Sequence, residues 1–450
     1  METSDAPLTY KVYRRRWFMM TLYCLASASN ALLWITFSPI NTLVQSYFGI
    51  SAAAVNALSI VFLAAYIPFS FASNWVFSKY GTYVGIVLAS VLDCFCGLLR
   101  FLSTESNSNA RGNHPYAVLM AGQALGAIAQ PFFTNAPALL ASRWFPTSER
   151  DVATVIMSLA NPIGIAIGSV LPTAYVVGDD VGVDMFDLLL VEFIITAVIL
   201  IIIGLLFRDK PPTPPSNSEC LKAEQKMPLK DELKMLFTNR QYLILFVSFG
   251  TGLGFFNALT TLVEQLTDKS GYSTDDASLF SGLLIGCGLI ASIIVGLVLD
   301  RTHFYNSFLK GLFVLGGIFI LVFVLLIRPN YSGPLAFIFA AMGATMLPLL
   351  PVSFECAAEC TFPVREDMST GGLMSAGQLT GIVFIVVLGK LLDRQPQYEY
   401  YVFEPAYILI VVCIGLCVLG ILFFKGKYLR LAADQERKAS QQVSSSTDLL

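Results

Sequence analysis

The run FPTSERDVATVIMSLANPIGI (residues 145–165) decides the fold, because FPVREDMSTGGLMSAGQLTGI (residues 362–382) repeats it at an offset of 217 residues. Seven of the 21 aligned positions are identical: Phe145/Phe362, Pro146/Pro363, Glu149/Glu366, Met157/Met374, Ser158/Ser375, Gly164/Gly381 and Ile165/Ile382. Two apolar helices resemble each other easily by chance. A Phe-Pro-x-x-Glu loop aligned together with the helix that follows it does not. Pro131 and Pro348 keep the same offset. The chain therefore reads as a duplication, and internal similarity of this kind marks a repeated architecture.

Working outward, each copy is surrounded by long apolar runs. Of the 450 residues, 55% are hydrophobic and only 13% are charged, against about 25% charged in ordinary soluble domains. Lipid must cover much of such a surface. A crossing helix needs about 20 mostly apolar residues. Twelve runs qualify, near 17–38, 52–77, 82–103, 115–140, 151–177, 185–207, 241–265, 277–299, 305–327, 333–358, 368–392 and 403–424. Several contain proline, which a bundle tolerates when neighbours satisfy the freed backbone groups. Residues 1–16 are polar and end in Arg14-Arg15-Arg16, and the apolar run after them is too long for a signal core.

Lysine and arginine set the expected orientation. Of the 28, 21 fall in the two tails and in the loops on the N-terminal side. Both termini are expected in the cytoplasm. Asn330-Tyr331-Ser332 is a glycosylation sequon on the opposite side, within a few residues of the membrane. The expected order is a cytoplasmic segment 1–16, a six-helix bundle 17–207, a linker 208–240, a second bundle 241–425 and a disordered cytoplasmic tail 426–450. The linker is proline-rich and charged, with a short amphipathic helix near 228–237.

Six spans plus six, in parallel repeat, predict two bundles related by a pseudo-twofold axis along the membrane normal, which can rock about a site at their interface. Gly296-Leu297-Val298-Leu299-Asp300-Arg301 adds a GxxxDR signature between spans eight and nine. Glycine permits close helix approach, and an Asp300–Arg301 pair can latch one conformation. Its first-half counterpart, SNWVFSKYGTY (73–83), has Ser78 where the acid would stand. This six-plus-six all-helical architecture is similar to the major facilitator fold.

Polar residues inside spans mark pathways or interhelical bonds. Asp93 and Arg100 lie seven apart in span three, on one face, and could pair with each other. Glu192 falls in span six, Glu264 near the end of span seven, and Glu355 and Glu359 one turn apart in span ten. These last two could clamp helix ends through an arginine. Proton coupling or gating is expected of Asp93, Arg100, Glu264, Glu355, Asp300 and Arg301. Neutral polar groups sit mid-span at Asn30, Trp34, Gln130, Asn161, Asn257 and Gln378. Asn161 and Gln378 are repeat mates, so symmetry places both centrally. Amides and an indole suit a solute with few charges, or a cation held on an aromatic face.

At these residues the chain resembles the feline leukaemia virus subgroup C receptor family of major facilitator carriers, as a distant member. The stretches that carry the resemblance are YRRRWF with SNALLWITFSPI, AAYIPFSFASNWVFSKYG, GAIAQPFFTNAPALLASRWFPTSER and FECAAECTFPVREDMSTGGLMSAGQLTGI. The resemblance implies haem, choline/ethanolamine or pyridoxine transport. It also implies that Trp34, Gln130, Asn161 and Gln378 line the ligand cavity. Phe62 and Asn257 stand where choline-carrying relatives have tyrosine, which weakens the case for a full aromatic cage. Asp93 stands where asparagine is usual, which suggests a cationic substrate or proton coupling.

Other function classes fare worse. A net charge of −3 gives no basic field for nucleic acid. The nine cysteines lack Cys-x-x-Cys spacing and read as buried thiols. The two histidines, His114 and His303, fall in loops. Membrane enzymes need a nucleophile–base pair or metal ligands at depth, and multi-haem cytochromes need histidine ligands in their helices. No enzyme and no cofactor is therefore expected. A non-transporting receptor on a carrier fold remains open. The expectation is a monomeric carrier of a small organic solute, cationic or amine-like, in the plasma membrane.

Overall fold

At membrane depth every backbone polar group must be satisfied inside the protein, so apolar runs of this length can only be helices. The structure is a computed structural model that describes residues 12–104, 115–146, 149–176, 181–213, 229–302, 304–364, 366–394 and 404–429. Among the described residues all regular structure is helical, and twelve helices are long and apolar enough to cross a membrane. The tail beyond 429, residues 1–11, most of the linker (214–228), His114 and His303 lie outside the described residues.

The chain divides into two units, Met1–Lys226 and Met227–Leu450. Unit one holds α1 (Arg15–Ile35), α2 (Asn41–Phe48), α3 (Ala52–Leu102), α4 (Tyr116–Thr134), α5 (Pro137–Trp144), α6 (Arg150–Tyr175) and α7 (Val181–Leu206). Two spans share α3, which turns at Gly81, where φ is +87°. Unit two holds α8 (Leu229–Thr238), α9 (Arg240–Thr261), α10 (Val263–Asp268), α11 (Thr274–Thr302), α12 (Tyr305–Leu326), α13 (Ser332–Met346), α14 (Leu349–Thr361), α15 (Glu366–Arg394) and α16 (Pro405–Leu422).

The repeat is visible in the packing. In unit one α1 lies along α6 and α7, and α3 along α4 and α7. In unit two the equivalent helices match: α9 lies along α15 and α16, α11 along α13, and α12 along α16. Span four breaks between α4 and α5, just after Pro131, and span ten breaks at Pro348 between α13 and α14. Each interruption has one of the repeated prolines nearby, Pro131 in the last turn of α4 and Pro348 at the break itself, though the two breaks are not in the same register. The short amphipathic helix expected near 228–237 is α8, which buries Glu232 and Leu236.

The repeated loop motif has a clear job in unit one. Phe145 packs edge-on against Trp17 with ring centroids 5.2 Å apart, and Arg16 sits over Phe145. Glu149 pairs with Arg16 at 2.8 Å. The start of α6 is thus pinned to the start of α1. On the outward faces, Leu205, Phe337 and Leu416 stay more than 60% exposed, as lipid-facing side chains should.

Candidate functional site

Unit one contains a buried ionic core built by three spans. Arg100 near the end of α3 is completely buried. Its Nη2 pairs with Glu192 of α7 at 2.7 Å, and its Nη1 donates to the Leu33 carbonyl of α1 at 2.8 Å. The Phe37 ring lies 4.6 Å from the guanidinium carbon, a cation–π distance. Thr36 donates its hydroxyl to the other Glu192 oxygen at 2.6 Å. The pairing of Asp93 with Arg100 suggested by their spacing is therefore corrected. Two helical turns separate them by about 10 Å of rise, whereas the packing of α7 on α3 brings Glu192 into reach. Asp93 instead accepts from Asn30 Nδ2 at 2.8 Å, and that nitrogen also donates to the Gly126 carbonyl at 2.9 Å.

The neutral polar set lies around this core. Trp34, one turn after Asn30 on α1, donates its indole N–H to the Ser59 carbonyl at 3.3 Å, which fixes the ring plane. Gln123 of α4 donates to the Leu58 carbonyl at 3.2 Å. Gln130 is buried directly before Pro131, and its Oε1 has no hydrogen-bond partner among the described residues. Asn161 of α6 likewise has a buried Nδ2 without one. Buried polar atoms are usually paired, so unused ones at a suspected cavity call for explanation. Asn135, in the break after α4, bonds to Ser70 and Ser73 at 3.0 Å each, while the Tyr66 hydroxyl lies 3.2 Å from its Oδ1. Asn135 ties the broken span to α3, a role that its position in a run of small and apolar residues hides.

In unit two, Asn257 of α9 donates to Gln378 Oε1 of α15 at 3.4 Å, and both are buried. Beside them Thr380 donates to the Gly250 carbonyl at 2.6 Å. The repeat mates Asn161 and Gln378 thus differ locally: one has an unused donor, the other a partner on the neighbouring helix. Glu264 is buried in α10, Glu359 is buried in α14 and Glu355 is half-buried there. Arg301 is exposed at the end of α11, and the side chain of Asp300 lies outside the described residues. A groove of about 480 Å³ runs between α9 and α16, lined by Arg240, Val247, Thr251 and Leu416, away from the amides.

One ion pair was not legible in the sequence. Arg143 at the end of α5 pairs with Asp209, just past α7, at 2.6 Å. The same Asp209 oxygen accepts from the Thr82 backbone N–H at 2.6 Å, the Thr82 hydroxyl at 2.7 Å and the Tyr83 N–H at 3.1 Å. Asp209 therefore caps the helix that restarts after the turn at Gly81, where an anion is favoured. A Cβ at Gly81 would stand 2.8 Å from Asp209 Oδ1. Burial would push the Asp209 carboxyl up, but the Thr82 hydrogen bonds, Arg143 and Tyr83 outweigh it and hold it below the ordinary carboxylate value. Among the described residues no three His, Cys, Asp or Glu side chains gather as metal ligands.

Twelve spans in two six-span units, with buried amides in each and an ionic core in one, define a polytopic carrier. A model described as the Major Facilitator Superfamily matches residues 23–361. Solute carrier family 49 member A3 of Xenopus tropicalis is 33% identical, over 94% of this chain and 90% of that protein. The choline/ethanolamine transporter flvcr2a of Danio rerio is 29% identical, over 97% of this chain and 92% of its own length. The human choline/ethanolamine transporter FLVCR2 is 27% identical, over 95% and 80%. The chain belongs to the major facilitator superfamily and, within it, to the feline leukaemia virus subgroup C receptor family that includes solute carrier family 49 member A3. It is an integral, multi-pass membrane transporter of that superfamily. A crystal structure of a D-xylose–proton symporter shares the fold, with a TM-score of 0.68 at 15% identity over 91% of this chain and 97% of that one.

Proposed function

We propose that this chain carries a small organic cation or amine-like solute, of the choline or ethanolamine kind, across the plasma membrane by alternating access. Trp34, Gln130 and Asn161 of the first bundle bind the solute. The observation that carries this reading is that two of the expected cavity side chains in unit one keep unused buried atoms, an acceptor on Gln130 and a donor on Asn161. A hydroxyl both donates and accepts, so a hydroxylated solute can satisfy either atom. The Trp34 face suits an ammonium group. Relatives that span nearly the whole chain carry the name choline/ethanolamine transporter, and this supports the substrate class.

Uptake of radiolabelled choline, ethanolamine, pyridoxine and haem into cells expressing the chain tests the reading. Choline or ethanolamine uptake should be saturable and lost in Gln130→Leu and in Trp34→Ala at equal surface levels. A choline analogue without the hydroxyl should compete roughly tenfold less well, the worth of about one buried hydrogen bond. Uptake of neither amine, with the protein at the surface, would overturn the proposal. Uptake of pyridoxine or haem alone would move the substrate class.

A further inference from the structure

Among the described residues, the fully buried charges in the spans of unit one do not balance. Asp93, Arg100 and Glu192 are 3%, 0% and 1% exposed, two acids against one base. Arg100 gives its ion pair to Glu192, a hydrogen bond to the Leu33 carbonyl and its face to the Phe37 ring, while its buried Nε has no hydrogen-bond partner among the described residues. The charged and titratable groups facing Asp93 are Arg100, Cys94 and Cys96 from α3 itself, with Glu192 of α7 beyond Arg100. From α1 and α4 come only neutral groups: Asn30, the Gly126 carbonyl and Gln123. Asn30 Oδ1 is itself a buried acceptor with no donor among the described residues. Beside Asp93, then, one buried acceptor lacks a donor, and the buried acids outnumber the base. An ionised carboxylate held among neutral groups at membrane depth is costly, and such a group neutralises or finds a partner.

We propose that Asp93 holds one exchangeable proton and that its uptake and release are coupled to solute movement. The carboxyl O–H bond forms with a proton from water on one side of the membrane and breaks to water on the other, and no electrons are transferred. The proton itself stands on the charge count. Its coupling to transport rests on the carrier reading above.

Two measurements separate these parts. Infrared difference spectra of the purified chain in bilayers at neutral pH read protonated carboxyl groups without any solute. A protonated-carboxyl band should be present in the wild type and lost in Asp93→Asn. A spectrum that Asp93→Asn leaves unchanged overturns the proton. The second measurement is choline and ethanolamine uptake into proteoliposomes at zero membrane potential, with a pH gradient of one unit. One coupled proton supports up to about tenfold accumulation. The uptake that remains in Asp93→Asn should be the same with and without the gradient. Gradient-driven accumulation in that variant overturns the coupling, and so does wild-type uptake indifferent to the gradient. If neither amine moves under any condition, the substrate reading fails and the coupling with it, while the infrared result decides the proton alone.

Discussion

Single residues were legible here as chemistry and illegible as partners. The sequence marks Asn30, Trp34, Gln130 and Arg100 as polar side chains at membrane depth, and all four are buried. Spacing offered Asp93 as the partner of Arg100 and gave no sign of Glu192, because that pairing depends on which helix lies beside α3. Asp209 was hidden more deeply, in a proline-rich charged stretch whose composition reads as linker. Its environment makes a pH prediction. The Asp209 carboxyl is held below its ordinary value in the folded chain. The stabilisation that this represents is complete above the unfolded value, about 3.9, and is lost as pH falls through the lowered folded value. Asp209→Asn should therefore melt below the wild type at pH 7, and the gap should narrow as the pH is brought below about 4. Thermal unfolding of the purified protein across pH reads this. A gap that widens in acid would contradict the assignment of Asp209 as a charged cap.

Helices emerged from the sequence as spans, but their breaks did not. Hydropathy sees the runs containing Pro131 and Pro348 as unbroken, since it measures composition and a bundle can absorb proline. It also missed the exit of span seven into the separate short helix α10. The structure adds where the repeated helices touch. The matched glycines Gly164 and Gly381 lie at equivalent close crossings, α6 on α1 and α15 on α9. A Cβ at Gly164 would run into the Ala28 carbonyl, and one at Gly254 would meet the Gly381 nitrogen. Neither neighbour is a flexible side-chain tip, so the backbones would have to separate. Gly164→Val should lower thermal stability by about 1–3 kcal/mol, the usual cost of overpacking, and reduce the folded yield. Gly204, with open space around its Cα, is the control: Gly204→Ala should change stability by less than about 1 kcal/mol. Equal effects at the two sites would show that the α1–α6 crossing is not tight.

For the molecule as a whole, duplication was readable because it left both a sequence match and an even number of spans. Six spans per unit return the chain to the side on which it began, so the two termini and the linker must share a side if each of the twelve helices crosses. Which side they share is a separate matter, carried by the concentration of 21 of the 28 lysines and arginines in the tails and the loops on the N-terminal side. Positive charge is retained in the cytoplasm, so the termini are expected there. The turn at Asn330, between α12 and α13, is expected outside. Epitope tags at the two ends should be reached by antibody only after cells are permeabilised. A tag in the 328–331 turn should be reached on intact cells. Both end tags reachable from outside would invert the orientation and leave the twelve spans standing. End tags on opposite sides would mean that one of the twelve helices does not cross, and the six-plus-six division itself would fall.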